Sequence, residues 1–470
     1  MFFARLLEHP PTSAAVFTGN KFFTYSDLVK EIKFSVHSLK YLDISRGDHV
    51  GIISNNEIHF ISLVFALWNC GAVPVLLNAK LSNNEIHNQV LFTGCKSVFI
   101  HHKFIKELSF PGIKTVEFPF AEKIEAEESF SFKESKPDDT AVIIFTSGSS
   151  GKPKAVELSF ENLLQSAVIG NKVLKLNSMD RFLASLPFYH IGGFSIIIRA
   201  VLFGSSVIIP ESLSAEELIK SITLYNPTAA SLVSNQLKIF VEKKIIPPKE
   251  LRLVLLGGGF FNMELVLEAM NQGWKIAKVY GTTETSSFIA FMNYEESGLR
   301  PGASGKAINP NRIMITKEGE IGIISPAVMK GYYNNKEETS LKLKDGIFYS
   351  GDIGYIDQDG YLYIEAKRND LIVSGGENIN PAEVEKEISA HPKVNEAAVV
   401  GIEDKEWGQA VSAAIVVRQG ENFSEDELKN FLKYRIASFK IPKKVVFLNE
   451  LPKTELGKVQ KEKVLEFFNK

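Results

Sequence analysis

Thr140-Ala141-Val142-Ile143-Ile144-Phe145 runs directly into Thr146-Ser147-Gly148-Ser149-Ser150-Gly151-Lys152-Pro153-Lys154. The first six residues are short, continuous, apolar and rich in β-branched side chains, which predicts a buried strand. The nine that follow gather small residues, hydroxyls and two lysines at the end of that strand. Backbone N–H groups, hydroxyls and ammonium charges so placed form a seat for a polyphosphate. The loop is not a Walker A motif, which needs four residues between its glycines and a Ser or Thr after the Lys. Here two residues separate Gly148 from Gly151, and Lys152 is followed by Pro153.

Outward from that loop, strand-like runs alternate with helix-like ones. Val50–Ile53, Val73–Leu77, Arg252–Leu256 and Ile276–Tyr280 read as strands, and Phe60–Asn69 reads as a helix. The pattern predicts an α/β protein with largely parallel sheets. Two more strands run into loops of glycine and hydroxyl residues, Gly257-Gly258-Gly259 and Gly281-Thr282-Thr283-Glu284. Ligands of open α/β sheets bind beyond the carboxyl ends of the strands, so these loops are expected to share a cleft.

From about Gly302 shorter alternating runs predict a β-rich subdomain. Beyond the charged stretch Lys367-Arg368-Asn369-Asp370, Asn380-Pro381 reads as the cap and first turn of a helix. The expected architecture is a large N-terminal body over residues 1–369 and a small, mobile α+β domain over 370–470, hinged at Asp370.

At 470 residues the chain exceeds one ordinary core, and 45% hydrophobic with 23% charged residues describes a soluble globular protein. A net charge of −2 excludes general attraction to nucleic acid or anionic membrane, so phosphate recognition must be local. Cys70 and Cys95 are too few for a disulfide framework. Arg5 and Glu8 interrupt the apolar start before a secretory signal can form, and Phe194–Phe203 is too short to span a bilayer. A cytoplasmic location is expected.

Five features in order carry a resemblance. They are the phosphate loop, Tyr280-Gly281-Thr282-Thr283-Glu284, Tyr349-Ser350-Gly351-Asp352 read as a tight turn, Arg368 with Asp370, and Pro452–Lys458. With Leu186-Pro187-Phe188-Tyr189-His190 and Asp370–Glu385, they resemble the adenylate-forming superfamily of acyl- and aryl-CoA synthetases over nearly the whole chain. The resemblance implies that a carboxylate attacks the α-phosphorus of Mg·ATP to give acyl-AMP and pyrophosphate, after which the coenzyme A thiol displaces AMP to form the acyl thioester. It implies that Thr146, Ser147, Gly148, Ser149, Ser150, Gly151 and Lys154 hold the phosphates. Glu284 would hold Mg²⁺ and Thr283 would meet the α-phosphate. Tyr280, with Gly258 and Gly281, would receive adenine, and Asp352 and Arg368 the ribose. Lys458 would bridge the reacting carboxylate and the α-phosphate, and Gly375-Gly376 would line the pantetheine tunnel. Ala366-Lys367 stands where the family has a glycine before the arginine.

The acid pocket is implied at His190, Arg199 and Gly257. Leu186–Gly204 looks most like the o-succinylbenzoate–CoA ligases of menaquinone biosynthesis, in which an arginine stands at the Arg199 position and binds the substrate's second charge. An arginine inside an apolar helix is costly unless paired, with a substrate or with a neighbouring acid. Other aryl- or medium- to long-chain fatty acyl-CoA ligases, and a stand-alone adenylation protein loading a carrier protein, are the alternatives. The implied partners are a small carboxylic acid, ATP and CoA, without nucleic acid or an integral membrane segment; homodimer formation is left open.

Overall fold

The computed structural model describes residues 2–81, 83–120, 131–146, 154–257, 263–300, 302–367, 372–374, 377–404, 408–433, 435–436, 438–455 and 457–468. The chain divides into two compact units, Met1–Ile313 with Ile323–Phe348, and Met314–Gly322 with Tyr349–Lys470.

Two sheets organise the larger unit. In the seven-stranded sheet, Thr140–Thr146, Val73–Leu77, His49–Ile53, Ser97–His101 and Lys114–Phe118 lie side by side and parallel. Val73–Leu77 and Ser97–His101 are buried throughout, as parallel strands covered on both faces must be. The nine-stranded sheet has a parallel centre made of Ile276–Tyr280, Leu253–Leu256, Ala229–Leu232, Arg181–Leu183, Ser206–Ile208 and Ala14–Thr18. Antiparallel strands finish its edges. The parallel core matches the expectation from the sequence; the antiparallel edges add to it.

The helices Ile58–Cys70 and Ile191–Phe203 are apolar on nearly every face and correspondingly buried. Both end at glycines with φ of +75°, Gly71 and Gly204, the left-handed stop that a Cβ disfavours. Trp68 on the first donates its indole N–H to the Ala141 carbonyl at 2.7 Å, fastening that helix to the strand before the phosphate loop.

Of the short strands after residue 302, Lys306–Ala307 joins the nine-stranded sheet and Gly331–Tyr332 the seven-stranded one. In the smaller unit Asp352–Ile356, the end of the strand Ile347–Ile356, pairs antiparallel with Leu362–Lys367. Asp352 therefore sits within a strand, where the sequence suggested a turn. The turn lies earlier, at Asp345 and Gly346 with φ of +51° and +75°. Gly351 beside Asp352 takes φ +81°, and the pairing shifts register between Ile353 and Gly354.

Further on, Val394–Asp404 and Gly408–Val417 form a long antiparallel pair, with Lys444–Leu448 added in parallel. The helices Pro381–Ser389 and Glu425–Leu432 bury Val384, Ile388, Leu428 and Leu432 in the same core. Asn380 caps the first through a 2.9 Å bond from the Ala382 N–H, as its sequence predicts. Asp370, the expected hinge, lies outside the described residues. So do Ser147, Gly148, Ser149, Ser150, Gly151, Gly258, Arg368, Gly375 and Gly376.

Candidate active site

The stretch expected to hold phosphates, residues 147–153, connects two strands of one antiparallel pair. Thr140–Thr146 returns antiparallel as Lys154–Ser159, with Thr146 opposite Lys154. The register therefore fixes both ends of the loop on sheet backbone, and side chains at every second position share a face. Lys154 and Val156 lie on one such face.

Gly331–Tyr332 pairs with the outer edge of Lys154–Ser159, setting Tyr332 opposite Val156 and diagonal to Lys154. The Lys154 ammonium stands 5.2 Å from the centre of the Tyr332 ring and forms an ion pair with Glu338. Glu338 is fixed in turn by helix capping, because the Asn335 side chain accepts its N–H at 3.1 Å. On the other side the Tyr332 hydroxyl donates to Glu284 Oε1 at 3.0 Å. Burial, then the charges of Glu284 and Glu338, push the Tyr332 hydroxyl well above its usual range, so it remains protonated and donates. Thus Lys154 and Glu284, predicted site residues, are joined through Tyr332 and Glu338, which sequence reasoning missed. No local pattern marks either one, since the contacts span 48 and 184 positions.

Glu284 lies on the short 3₁₀ turn Thr283–Thr285 beyond the strand Ile276–Tyr280. Its backbone carbonyl accepts the Met329 N–H at 2.7 Å. The chain then doubles back tightly, with Ser287 N–H on the Thr282 carbonyl at 3.0 Å. A Cβ at Gly281 would stand 2.0 Å from the Ser287 carbonyl oxygen, so only glycine fits there. Tyr280 is buried at the strand end and Thr283 half-buried in the turn. The Thr282 hydroxyl is buried with no hydrogen-bond partner among the described residues. Gly257 follows Leu253–Leu256, and a Cβ on it would meet Val279 Cγ2 at 2.7 Å.

Of the residues predicted for the acid pocket, His190 caps and Arg199 lies within the helix Ile191–Phe203. Asn56, unremarked in the sequence, accepts the Phe188 N–H at 2.8 Å and donates to the Leu186 carbonyl at 2.8 Å. A Cβ at Gly193 would reach within 2.1 Å of the Pro187 carbonyl oxygen, so the helix can begin this close only with glycine. His190 opens the helix, its imidazole pushed down to about 4 by burial and then by the charge of Lys80. It is neutral near pH 7.

Arg199 lies two turns further on and is 2% exposed. Its guanidinium carbon stands 5.7 Å from the Phe182 ring centre and 5.8 Å from that of Phe288. Nε and Nη1 are buried without a hydrogen-bond partner among the described residues. Burial pulls its pKa down to about 10, so the group is still charged near pH 7. The neighbouring acid weighed as its structural partner is not found among the described residues.

In the smaller unit, Asp352 is 7% exposed. Lys458 is exposed in a turn closed by the Thr454 N–H on its carbonyl at 2.7 Å and by Gly457 at φ +77°.

The chain belongs to the AMP-binding enzyme family. Its family model matches residues 2–333, and that of the AMP-binding enzyme C-terminal domain matches residues 383–458. Among curated proteins, the 2-succinylbenzoate–CoA ligase of Bacillus licheniformis is 35% identical, covering 98% of this chain and 100% of its own. That of Bacillus subtilis is 33% identical over 96% of this chain and 94% of its own. The structure is similar to o-succinylbenzoate CoA synthetase from Bacillus subtilis in complex with the acyl-adenylate intermediate OSB-AMP. The TM-score is 0.92 at 32% identity, over 98% of this chain and 97% of the other. The same enzyme in complex with ATP and magnesium ion also gives 0.92, with 99% and 98% covered.

The His190 shift has a consequence for stability. Unfolded chain takes up a proton near pH 6.5 that the folded site refuses until about pH 4. The unfolded state therefore binds more protons across that window, and stability falls as pH is lowered through it. A gap of that size corresponds to roughly 3 kcal/mol at full extent. Urea unfolding from pH 6.5 to about 4 should show a shallower loss in His190→Asn than in the wild type. Parallel pH curves for the two proteins would exclude a buried neutral imidazole.

Proposed function

We propose that this protein is an ATP-dependent ligase that joins 2-succinylbenzoate to coenzyme A through an acyl-adenylate, in menaquinone biosynthesis and in the cytoplasm. The observation that carries the acid assignment is Arg199. A charged guanidinium buried between two phenylalanines with Nε and Nη1 unsatisfied costs several kcal/mol unless something neutralises it. A dicarboxylate offers one carboxylate for activation and a second to meet this charge; a fatty acid offers nothing. The near-full-length similarity to 2-succinylbenzoate–CoA ligases supports the same reading.

In this reading Thr146, Ser147, Gly148, Ser149, Ser150, Gly151 and Lys154 cradle the β,γ-phosphates. Tyr280, Gly281 and Gly258 receive adenine, and Asp352 and Arg368 hold the ribose. Glu284 fits a hard cation: its Oε1 accepts from Tyr332, and Oε2 has no partner among the described residues. When bound there, Mg²⁺ supplies neutralisation of phosphate charge. Thr283 meets the α-phosphate, and Lys458 neutralises charge developing between the attacking carboxylate and phosphorus. Neutral His190 walls the acid pocket with Gly257 and brings no charge to the substrate carboxylates. Rotation of residues 370–470 about Asp370 then exchanges Lys458 for the tunnel lined by Gly375-Gly376, through which the CoA thiol reaches the adenylate.

Two outcomes are expected. Lys458→Ala should lose acyl-AMP formation by about a hundredfold or more while converting supplied acyl-AMP to thioester at near wild-type rate. An equal fall in both half-reactions would contradict the role given to Lys458. Arg199→Met should raise the KM for 2-succinylbenzoate at least about tenfold, as loss of a charge-assisted contact does. Because it removes a buried unpaired charge, it should also stabilise the fold by about 1–4 kcal/mol in denaturant unfolding. A destabilised variant with unchanged KM would make Arg199 structural.

A further inference from the structure

We infer that Tyr332 is a positioning residue for the metal-binding carboxylate: its hydroxyl commits Oε1 of Glu284 and leaves Oε2 facing the cation site. The inference rests on the reading of Glu284 given above and extends it to a residue that reading does not use.

Tyr332 is itself fixed from every side. Its backbone is paired to Val156 in the sheet. Its N–H donates to Thr339 Oγ1 at 2.9 Å, and Thr339 in turn donates to the Asn335 carbonyl at 2.8 Å. A tyrosine 5% exposed must find a partner for its hydroxyl, and here that partner is a carboxylate. The hydroxyl has one proton to give, and it goes to Oε1. A glutamate side chain loses roughly 1.5–2 kcal/mol of rotamer freedom when it is ordered. Tyr332 settles that cost before any cation arrives, and it fixes which oxygen is available.

The same ring lies beneath the Lys154 ammonium, so a single side chain sets the spacing between the cationic and the anionic sides of the phosphate site. Tyr332→Phe separates these two roles. It keeps the ring under Lys154 and the packing against the sheet, and removes only the bond to Glu284.

The test is calorimetric titration of wild type, Tyr332→Phe and Glu284→Gln with ATP, once with Mg²⁺ and once with a chelator. Tyr332→Phe should bind Mg·ATP about tenfold to a hundredfold more weakly, as expected for one lost bond to a charged group. Its affinity for metal-free ATP should stay within about twofold of wild type, since Lys154 and the loop are untouched. A merely structural tyrosine would weaken both titrations together, and that result overturns the inference. If Glu284→Gln lowers the Mg·ATP affinity and Tyr332→Phe does not, the positioning role fails while the reading of Glu284 stands. If Glu284→Gln leaves both affinities unchanged, Glu284 does not bind the metal, and both readings fail.

Discussion

The antiparallel pairing of Thr140–Thr146 with Lys154–Ser159 is the constraint on which the phosphate side of the site depends. The pairing sets Thr146 opposite Lys154 and so fixes where Lys154 emerges from the sheet. The short strand Gly331–Tyr332 then pairs onto the free edge and brings Tyr332 beside Lys154. Through Tyr332 the hairpin reaches Glu284, which arrives from the other sheet at the end of Ile276–Tyr280. Two sheets thus meet at one side chain, and hydrogen bonds and an aromatic face hold the charges apart at a fixed spacing.

The acid pocket follows a different logic. Around Arg199 the fold supplies apolar surface, and among the described residues no acid meets the Nε and Nη1 of its buried guanidinium. Such a group opposes stability, and its natural compensation is a ligand of opposite charge. His190 complements it from the same helix. Its burial keeps the imidazole neutral, so in the proposed reading selectivity for a second carboxylate falls to the guanidinium.

Much of this was legible in the sequence. The central strands of both sheets, the loops at their ends and the helix after Asn380 follow from apolar runs and turn chemistry. Arg199 stood out because a charge in the run Phe194–Phe203 breaks its pattern. Asp352 was misplaced because Tyr349-Ser350-Gly351-Asp352 has turn composition. Its glycine in fact takes a positive φ inside a strand, a conformation that favours glycine there as it does in a turn. Tyr332, Glu338 and Asn56 were illegible for another reason. Each acts through a partner far away in the chain, and nothing in Lys330-Gly331-Tyr332-Tyr333 distinguishes a packing tyrosine from one that orients a carboxylate. Local propensity specifies elements; pairing of distant edges specifies the site.

The central claim is that the buried charge of Arg199 selects a dicarboxylate. The most direct measurement is kcat/KM of the wild-type enzyme for CoA thioester formation from 2-succinylbenzoate and from acids of the same skeleton with one carboxylate removed. The account predicts a preference of about a hundredfold or more for the dicarboxylate, because each shorter acid leaves either the reaction or the guanidinium without its partner. Equal use of a monocarboxylate would contradict it and return Arg199 to the core as a tolerated cost.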